Sequence, residues 1–170
     1  VTKGPVLIVD FENRPVYLRV RACKIVHHWP VADCLPIKIA FDLESRLGSD
    51  VIVDEIALLA QGWQPRLIIL DSLVDFLGDT DENSNAEMAA VAGRLRDITT
   101  HTGATVIGIH HTPKAGNTPR GASALRNGAD VSIMVERKGN ILYLEHDKNR
   151  LGPEIKLHAT ASWTAASFQL

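Results

Sequence analysis

Three short apolar segments, each followed directly by polar side chains, constrain the fold of this 170-residue sequence. They are VLIVDF at residues 6–11, RLIILD at residues 66–71 and TVIGI at residues 105–109. Segments of this length and composition are typical of strands buried on both faces of a sheet. Stretches with apolar residues at helical spacing separate them, and this alternation predicts an α/β domain with a mainly parallel sheet.

Apolar periodicity and turn residues predict further elements around these strands. Ser84 and Glu87 form a capping-box pattern, so we expect a long helix between this pair and Gly103. Residues 112–121 are rich in Lys, Gly, Asn and Pro, and they predict an exposed loop. The other predictions are a helix from Pro15 with Val16, Val20 and Cys23 on one face, a strand at residues 37–41, a helix at residues 51–61, and a hairpin of residues 131–136 and 141–145.

Composition sets the broad class of the chain. Hydrophobic residues make up 45% and charged residues 22%, which is ordinary for a soluble globular protein, and we expect one domain over residues 1–170. No apolar run approaches the roughly 18 residues that a membrane span needs, so we expect no membrane contact and a cytoplasmic location. Cys23 and Cys34 fit no zinc pattern, and two reduced thiols are favoured over the alternative of one disulfide between them. The net charge of −2 argues against a protein coated in nucleic acid but allows a local basic loop.

Polar side chains stand at the carboxyl end of each apolar segment. Glu12 follows the first segment, Asp71 ends the second, and His110 and His111 follow the third. Ligands of open α/β sheets bind at the carboxyl ends of the strands. Because burying an unpaired carboxylate at a strand end costs on the order of several kcal/mol, three such ends together predict one shared site.

The two carboxylates suggest nucleotide chemistry. Asp71 follows four apolar residues and precedes Ser72, the arrangement in which an aspartate holds the Mg²⁺ that bridges the β- and γ-phosphates. Glu12 stands where a base or a water-orienting group could act on a γ-phosphate. Asp10 would share a sheet face with Glu12, but it lies further inside the strand and is the weaker candidate for the base.

The histidine pair admits two interpretations. Together with Asp71, His110 and His111 could form a transition-metal site. Adjacent residues of a strand point to opposite faces, however, so the two imidazoles cannot both easily bind one ion. The pattern therefore favours a hydrogen-bonding sensor of phosphate.

Six segments occur in the order VDFEN, LIILDS, DENSNAEM, VIGIHHTPK, RGASALRNGAD and KNRLGP. This series resembles the RecA-like hexameric ATPases, a group of P-loop NTPases that includes DnaB-type replicative helicases, phage helicase-primases, plasmid RepA-type helicases and AAA ATPases. The resemblance runs from Val6 to Pro153. It implies a RecA-like core, with a mainly parallel sheet flanked by helices and a C-terminal antiparallel hairpin.

The resemblance also implies catalytic roles. Glu12 matches the glutamate that polarises the attacking water, Asp71 the aspartate that holds Mg²⁺ through water, and His111 the sensor of the γ-phosphate. Lys148 and Arg150 match the lysine and arginine fingers that reach into the nucleotide site of a neighbouring subunit.

Binding residues follow from the same resemblance. Ser72 and His110 fall among the nucleotide-binding positions. The loop at residues 112–119, which carries Lys114 and Asn117, resembles the loop that faces single-stranded DNA in the central channel of the ring. Arg120, which follows it, either anchors this loop or contacts the DNA.

The implied activity is ATP hydrolysis with Mg²⁺ by a homo-oligomeric ring, a hexamer, that moves on single-stranded DNA during replication of a plasmid, phage or mobile element. The chain departs from the family pattern in one respect, because it contains no G-x-x-x-x-G-K-[ST] run to cradle the phosphates. In relatives this run lies just before the strand that VLIVDF matches. We therefore expect it upstream of Val1, with its strand missing from the sheet and the 170-residue stretch inactive alone.

Three other functions are compatible with the same residues. The first is a recombinase-like or regulatory ring that hydrolyses ATP without unwinding DNA. The second is a non-catalytic interaction module that lacks the phosphate-binding loop and donates Lys148 and Arg150 to a partner ATPase. The third is a metal hydrolase built on His110, His111 and Asp71.

Overall fold

A computed structural model describes residues 3–26, 36–41, 43–111, 120–163 and 168–169. The chain forms two compact units, of which one comprises Val1–Asn13 and Leu35–Gly128 and the other Arg14–Cys34 and Ala129–Leu170. That residues 1–170 form a single domain stays a prediction. Within the described ranges, no helix is both long and apolar enough to cross a bilayer.

The described residues form five helices and nine strands. The helices are α1 (Pro15–Val26), α2 (Val51–Gln61), α3 (Leu73–Leu77), α4 (Asn85–Thr102) and α5 (Arg120–Gly128). The strands are β1 (Val6–Asp10), β2 (Ile37–Phe41), β3 (Leu67–Asp71), β4 (Thr105–Ile109), β5 (Val131–Lys138), β6 (Ile141–Asn149), β7 (Lys156–Thr160), β8 (Ser162–Trp163) and β9 (Phe168–Gln169). Every predicted helix and strand is present, and α3 and α5 are two further helices that were not predicted.

The first unit is built on a parallel sheet with the strand order β2-β1-β3-β4. The strands are aligned at their carboxyl ends, where Asp10 lies beside Phe41 and Asp71, and Asp71 lies beside Ile109. Because the strands are parallel and in register, the segments that follow them leave the sheet along one edge.

The core of the first unit buries alternate residues of the central strands. Leu7 and Val9 of β1 and Ile68 and Leu70 of β3 are fully buried, while the residues between them are half-buried. The apolar runs predict burial on both faces, but the described residues bury only one of them fully. The side chains that complete this core come mainly from α2, α3 and α4, and include Ile52, Ile56, Phe76, Met88, Val91 and Ile98.

Strand β4 is exposed, and the prediction that it is buried is therefore wrong. Four of its five residues are exposed, and only Val106 is half-buried. The strand lies at one edge of the four-stranded sheet, and among the described residues it pairs with β3 alone. An apolar run cannot distinguish an edge strand from a central one, because that position depends on strand order.

Helix α4 begins and ends as predicted. The Ser84 hydroxyl accepts a hydrogen bond from the Glu87 N–H at 3.4 Å. The Glu87 carboxylate accepts from the Asp81 N–H at 2.9 Å rather than from Ser84, so only one half of the capping box forms. Gly103 ends the helix with a φ of 66°, in the left-handed region that favours glycine.

The second unit contains an antiparallel sheet with the order β5-β6-β7 and the short pair β8-β9. Strands β5 and β6 form the predicted hairpin, in which Lys138 lies beside Ile141 and Gly139 turns the chain with a φ of 62°. The register shifts between Ser132 and Ile133, where a bulge or irregularity interrupts the ladder.

Helix α1 also belongs to the second unit. It begins at Pro15, as the sequence predicts. Val16, Val20 and Cys23, which share its predicted apolar face, are exposed. Their helical spacing therefore predicts the helix correctly. The described residues do not bury the face that these three side chains share.

Candidate active site

The carboxyl ends of β1, β3 and β4 define one site in the first unit. The Phe11 N–H donates to the Asp71 carbonyl oxygen at 2.8 Å, which holds β1 against β3 beyond the last ladder pair. Strand β3 lies between β1 and β4. The ends of β1 and β4 are therefore two strand spacings apart, or about 10 Å. The side chains that follow β1 and β4 can therefore meet above the end of β3.

Glu12 and His111 make this contact. His111 Nε2 lies 3.2 Å from Glu12 Oε2, although the two residues are 99 positions apart in the chain. Both side chains are substantially exposed, with relative accessibilities of 63% for His111 and 47% for Glu12. The contact is a hydrogen bond when a neutral His111 carries its proton on Nε2, and an ion pair when the imidazole is protonated. It joins the residue predicted to orient water to the residue predicted to sense phosphate.

Asp71 and Ser72 stand at the end of β3, the strand between β1 and β4. The Asp71 side chain is half-buried, whereas Ser72 is only 1% exposed. The Ser72 hydroxyl donates to Asp75 Oδ2 at 2.5 Å, within the first turn of α3. Ser72 is therefore engaged in local structure, and its contact with a nucleotide stays a prediction.

The donor atoms at this edge suit Mg²⁺. This ion prefers oxygen ligands, and proteins usually hold it through one or two carboxylates, with water and substrate phosphates completing the shell. Asp71 and Glu12 supply carboxylates here. Over the residues that the structure describes, no cluster of three or more His, Cys, Asp or Glu has the arrangement of a protein-built metal site. His110, His111 and Asp71, all of which are described, thus do not form the alternative transition-metal site.

His110 is the more enclosed of the two histidines. Its Nδ1 atom is buried and has no hydrogen-bond partner among the described residues. Burial lowers the pKa of His110 below the ordinary value of 6.5, the nearby Glu82 carboxylate opposes this shift, and His111 adds to it. The neutral imidazole is therefore favoured, and the role of His110 in binding a nucleotide stays a prediction.

Acidification is expected to destabilise the fold through His110. Because its pKa is lowered in the folded state, the folded protein binds fewer protons than the unfolded chain once the pH falls below 6.5. The free energy of unfolding is therefore highest above pH 6.5 and decreases as the pH falls toward the folded pKa. In the variant His110→Gln this part of the decrease should disappear.

Urea unfolding at about pH 7.5 and about pH 5.5 tests this expectation. The difference in unfolding free energy between the two pH values should be smaller in His110→Gln than in the wild type. His101→Gln, which changes an exposed histidine of α4, is the matched control. If the difference in unfolding free energy between the two pH values is equal in His110→Gln and the wild type, burial of His110 does not cause the loss of stability at low pH.

The two predicted fingers lie in the second unit, at the end of β6. Lys148 Nζ donates to the Ala129 carbonyl oxygen at 2.7 Å. The Arg150 N–H donates to the Asp130 carbonyl oxygen at 2.9 Å, and Arg150 Nη1 lies 3.3 Å from Asp130 Oδ1. The segment before β5 thus holds both cations close together. Their action on a neighbouring subunit stays a prediction.

The predicted DNA-binding residues lie within or next to residues 112–119, which are not among the described residues. Lys114 and Asn117 lie outside the described residues. Arg120 is the first residue of α5, but its side chain also lies outside them. Contact between these three residues and single-stranded DNA therefore stays a prediction.

Asp10 holds Glu12 in place, a role that differs from the candidate base considered from the sequence. Asp10 Oδ1 accepts hydrogen bonds from the N–H groups of Glu12 at 2.9 Å and Asn13 at 2.7 Å. An aspartate that bonds the backbone two and three residues later is a common turn-forming arrangement. The spacing of Asp10 and Asn13 directly after an apolar run is the signal that could have identified it.

Comparison with known proteins agrees with this architecture. A family model described as an AAA domain matches residues 1–117. One similar solved structure is an ATPase domain, with 15% sequence identity and a TM-score of 0.68 over 91% of this chain and 70% of the other. A second is a DnaB-like replicative helicase, solved with regard to its interactions with primase, with 12% identity and a TM-score of 0.68 over 96% of this chain. This chain spans half the length of that helicase. The likeness confirms the predicted RecA-like fold.

Proposed function

The chain belongs to the AAA domain family, and on this basis we propose that it is the motor domain of an ATP-hydrolysing helicase that acts on single-stranded DNA. The observation that carries the proposal is the contact of Glu12 with His111 above the end of β3, where Asp71 lies. A carboxylate base, a phosphate sensor and a Mg²⁺ ligand at one sheet edge would supply part of what nucleotide hydrolysis requires, and the phosphate-binding loop would supply the rest.

Glu12 would act on the attacking water. Its exposed carboxylate can accept a hydrogen bond from a water molecule and orient it in line with the γ-phosphate. Asp71 would hold Mg²⁺ through water, and the ion, when bound, screens the charge of the phosphate oxygens. His111 touches Glu12 and could also reach a phosphate oxygen. It would therefore couple the state of the nucleotide to the orientation of the base.

Completion of the site would come from a second copy of the chain. Lys148 and Arg150 would reach the nucleotide of the neighbouring subunit in a ring, for which the resemblance implies six members. A guanidinium placed against the transferring phosphoryl group stabilises the charge that develops there. Hydrolysis at each interface would drive movement along the DNA, in replication of a plasmid, phage or mobile element.

Two assays on the full-length protein test the proposal. Nucleotide hydrolysis should require Mg²⁺, increase when single-stranded DNA is added, and accompany unwinding of a forked duplex. Asp71→Asn, which keeps the size of the side chain but removes its charge, should abolish both activities. Hydrolysis without unwinding would favour the recombinase-like or regulatory ring. Absence of Mg²⁺-dependent hydrolysis in the wild type would favour the interaction module.

A further inference from the structure

Asp10 is a buried carboxylate in a place where burial is costly. Its relative accessibility is 1%, and it lies at the end of the central strand β1 between Phe41 and Asp71. A buried carboxylate is stable only when hydrogen bonds replace its hydration. The bonds that Asp10 makes therefore indicate what this carboxylate does.

All of the described partners of Asp10 belong to the turn that carries Glu12. Oδ1 accepts from the N–H groups of Glu12 and Asn13, at 2.9 Å and 2.7 Å. The Asn13 side-chain amide donates to Oδ2 at 3.1 Å and lies 3.4 Å from Oδ1. These bonds fix the position of the backbone on which the Glu12 side chain stands.

The residue before Glu12 is fixed as well. The Phe11 ring packs edge-to-face on Phe76 with centroids 4.3 Å apart. The Arg46 guanidinium lies over the Phe11 ring, 4.3 Å from its centroid. Glu12 therefore projects into solvent from between two anchored neighbours, Phe11 and Asn13.

We infer that Asp10 is a positioning residue that acts with Asn13 to hold the Glu12 carboxylate in its working place. The inference rests on the proposed role of Glu12 in hydrolysis. Asp10 itself is unsuited to be the base, because it is buried and its oxygens already accept the hydrogen bonds of the turn. Misplacing a catalytic group by about 1 Å can cost on the order of 100-fold in rate. Loosening this turn should therefore lower turnover without removing the catalytic group.

A double-mutant cycle in the full-length protein tests this role. Asp10→Asn should lower kcat about 10- to 100-fold, with the KM for ATP close to that of the wild type at a temperature where the variant is folded. In the background Glu12→Gln, the same substitution should change the residual kcat by less than about twofold, because Asp10 acts through a group that is already disabled. Asn13→Ala should behave in the same way, and it serves if Asp10→Asn does not fold.

The matched control is Asp81→Asn. Asp81 Oδ1 accepts from the N–H and the side-chain amide of Asn83 at 2.9 Å and 3.3 Å, so it forms a similar turn on an exposed loop. This variant should keep the wild-type kcat. Equal reductions of kcat by Asp10→Asn in the wild-type and Glu12→Gln backgrounds would overturn the positioning role alone. Unchanged turnover in Glu12→Gln itself would overturn the role of Glu12, and the positioning role with it.

Discussion

Arg150→Ala is expected to slow ATP hydrolysis by about 10³- to 10⁵-fold in the full-length protein while leaving ATP binding close to that of the wild type. The guanidinium would stabilise charge that is present in the transition state and much weaker in bound ATP. Its loss should therefore appear in kcat and not in the dissociation constant. Single-turnover hydrolysis and equilibrium binding of a fluorescent nucleotide measure the two quantities.

Arg150 lies on the surface, so we expect the fold to tolerate this substitution. Arg150 is 56% exposed, and its ion pair with Asp130, which is 71% exposed, is of the kind that contributes about 0–1 kcal/mol. The backbone bond from the Arg150 N–H to the Asp130 carbonyl survives the change to alanine. Arg137→Ala is the matched control, because Arg137 is an exposed arginine of the same unit whose Nε donates to the Gly139 carbonyl oxygen. It should retain wild-type turnover.

Action in trans has a test of its own. In the proposed ring, a mixture of Arg150→Ala and Glu12→Ala subunits would contain some interfaces in which a wild-type Glu12 faces a wild-type Arg150. These interfaces should restore part of the hydrolysis that each variant lacks alone. Failure of the mixture to recover any activity would count against an arginine that serves the neighbouring site.

Glu12→Gln is expected to lower kcat by about 10²- to 10⁴-fold. Glutamine keeps the size of the side chain and can still accept a hydrogen bond from His111, so the contact at 3.2 Å need not break. It cannot take a proton or attract the hydrogens of water as a carboxylate does. The variant should therefore bind ATP and assemble normally while it hydrolyses ATP slowly.

The control for Glu12→Gln is Glu44→Gln, which alters an exposed glutamate of the same unit. A phosphate-release assay measures kcat for both variants, and the kcat of Glu44→Gln should equal that of the wild type. A Glu12→Gln variant with undiminished kcat would show that another group orients the water. That result would remove the role that we propose for the end of β1.

Much of the first unit could be predicted from local sequence. The apolar runs before Asp10 and Asp71 identify two central strands because β-branched and aliphatic side chains favour buried pleated backbone. Ser84 marks the start of α4 because its side chain caps a free N–H group. Gly103 marks the end of α4 because glycine tolerates a left-handed backbone. These effects operate within a few residues, so short patterns report them well.

Predictions that depend on neighbours in space succeed less well. β4 has the same apolar character as β1, yet it is exposed because it lies at the edge of the sheet in the described residues. Val16 and Val20 have helical spacing without being buried. Helix α3 is missed because its five residues are too few to show a period. In each case the missing information is which element packs against which.

The sequence by itself determined that carboxylates and histidines would follow apolar strands, and parallel strands place such residues along one edge. Only the tertiary structure decided that β3 lies between β1 and β4, so that His111 meets Glu12 across it, and that Asp10 holds the turn below. The physical reason is the separation along the chain over which each interaction acts. Backbone propensity and capping act over a few residues, whereas a contact between residues 99 positions apart depends on the strand order by which the whole unit buries its apolar surface.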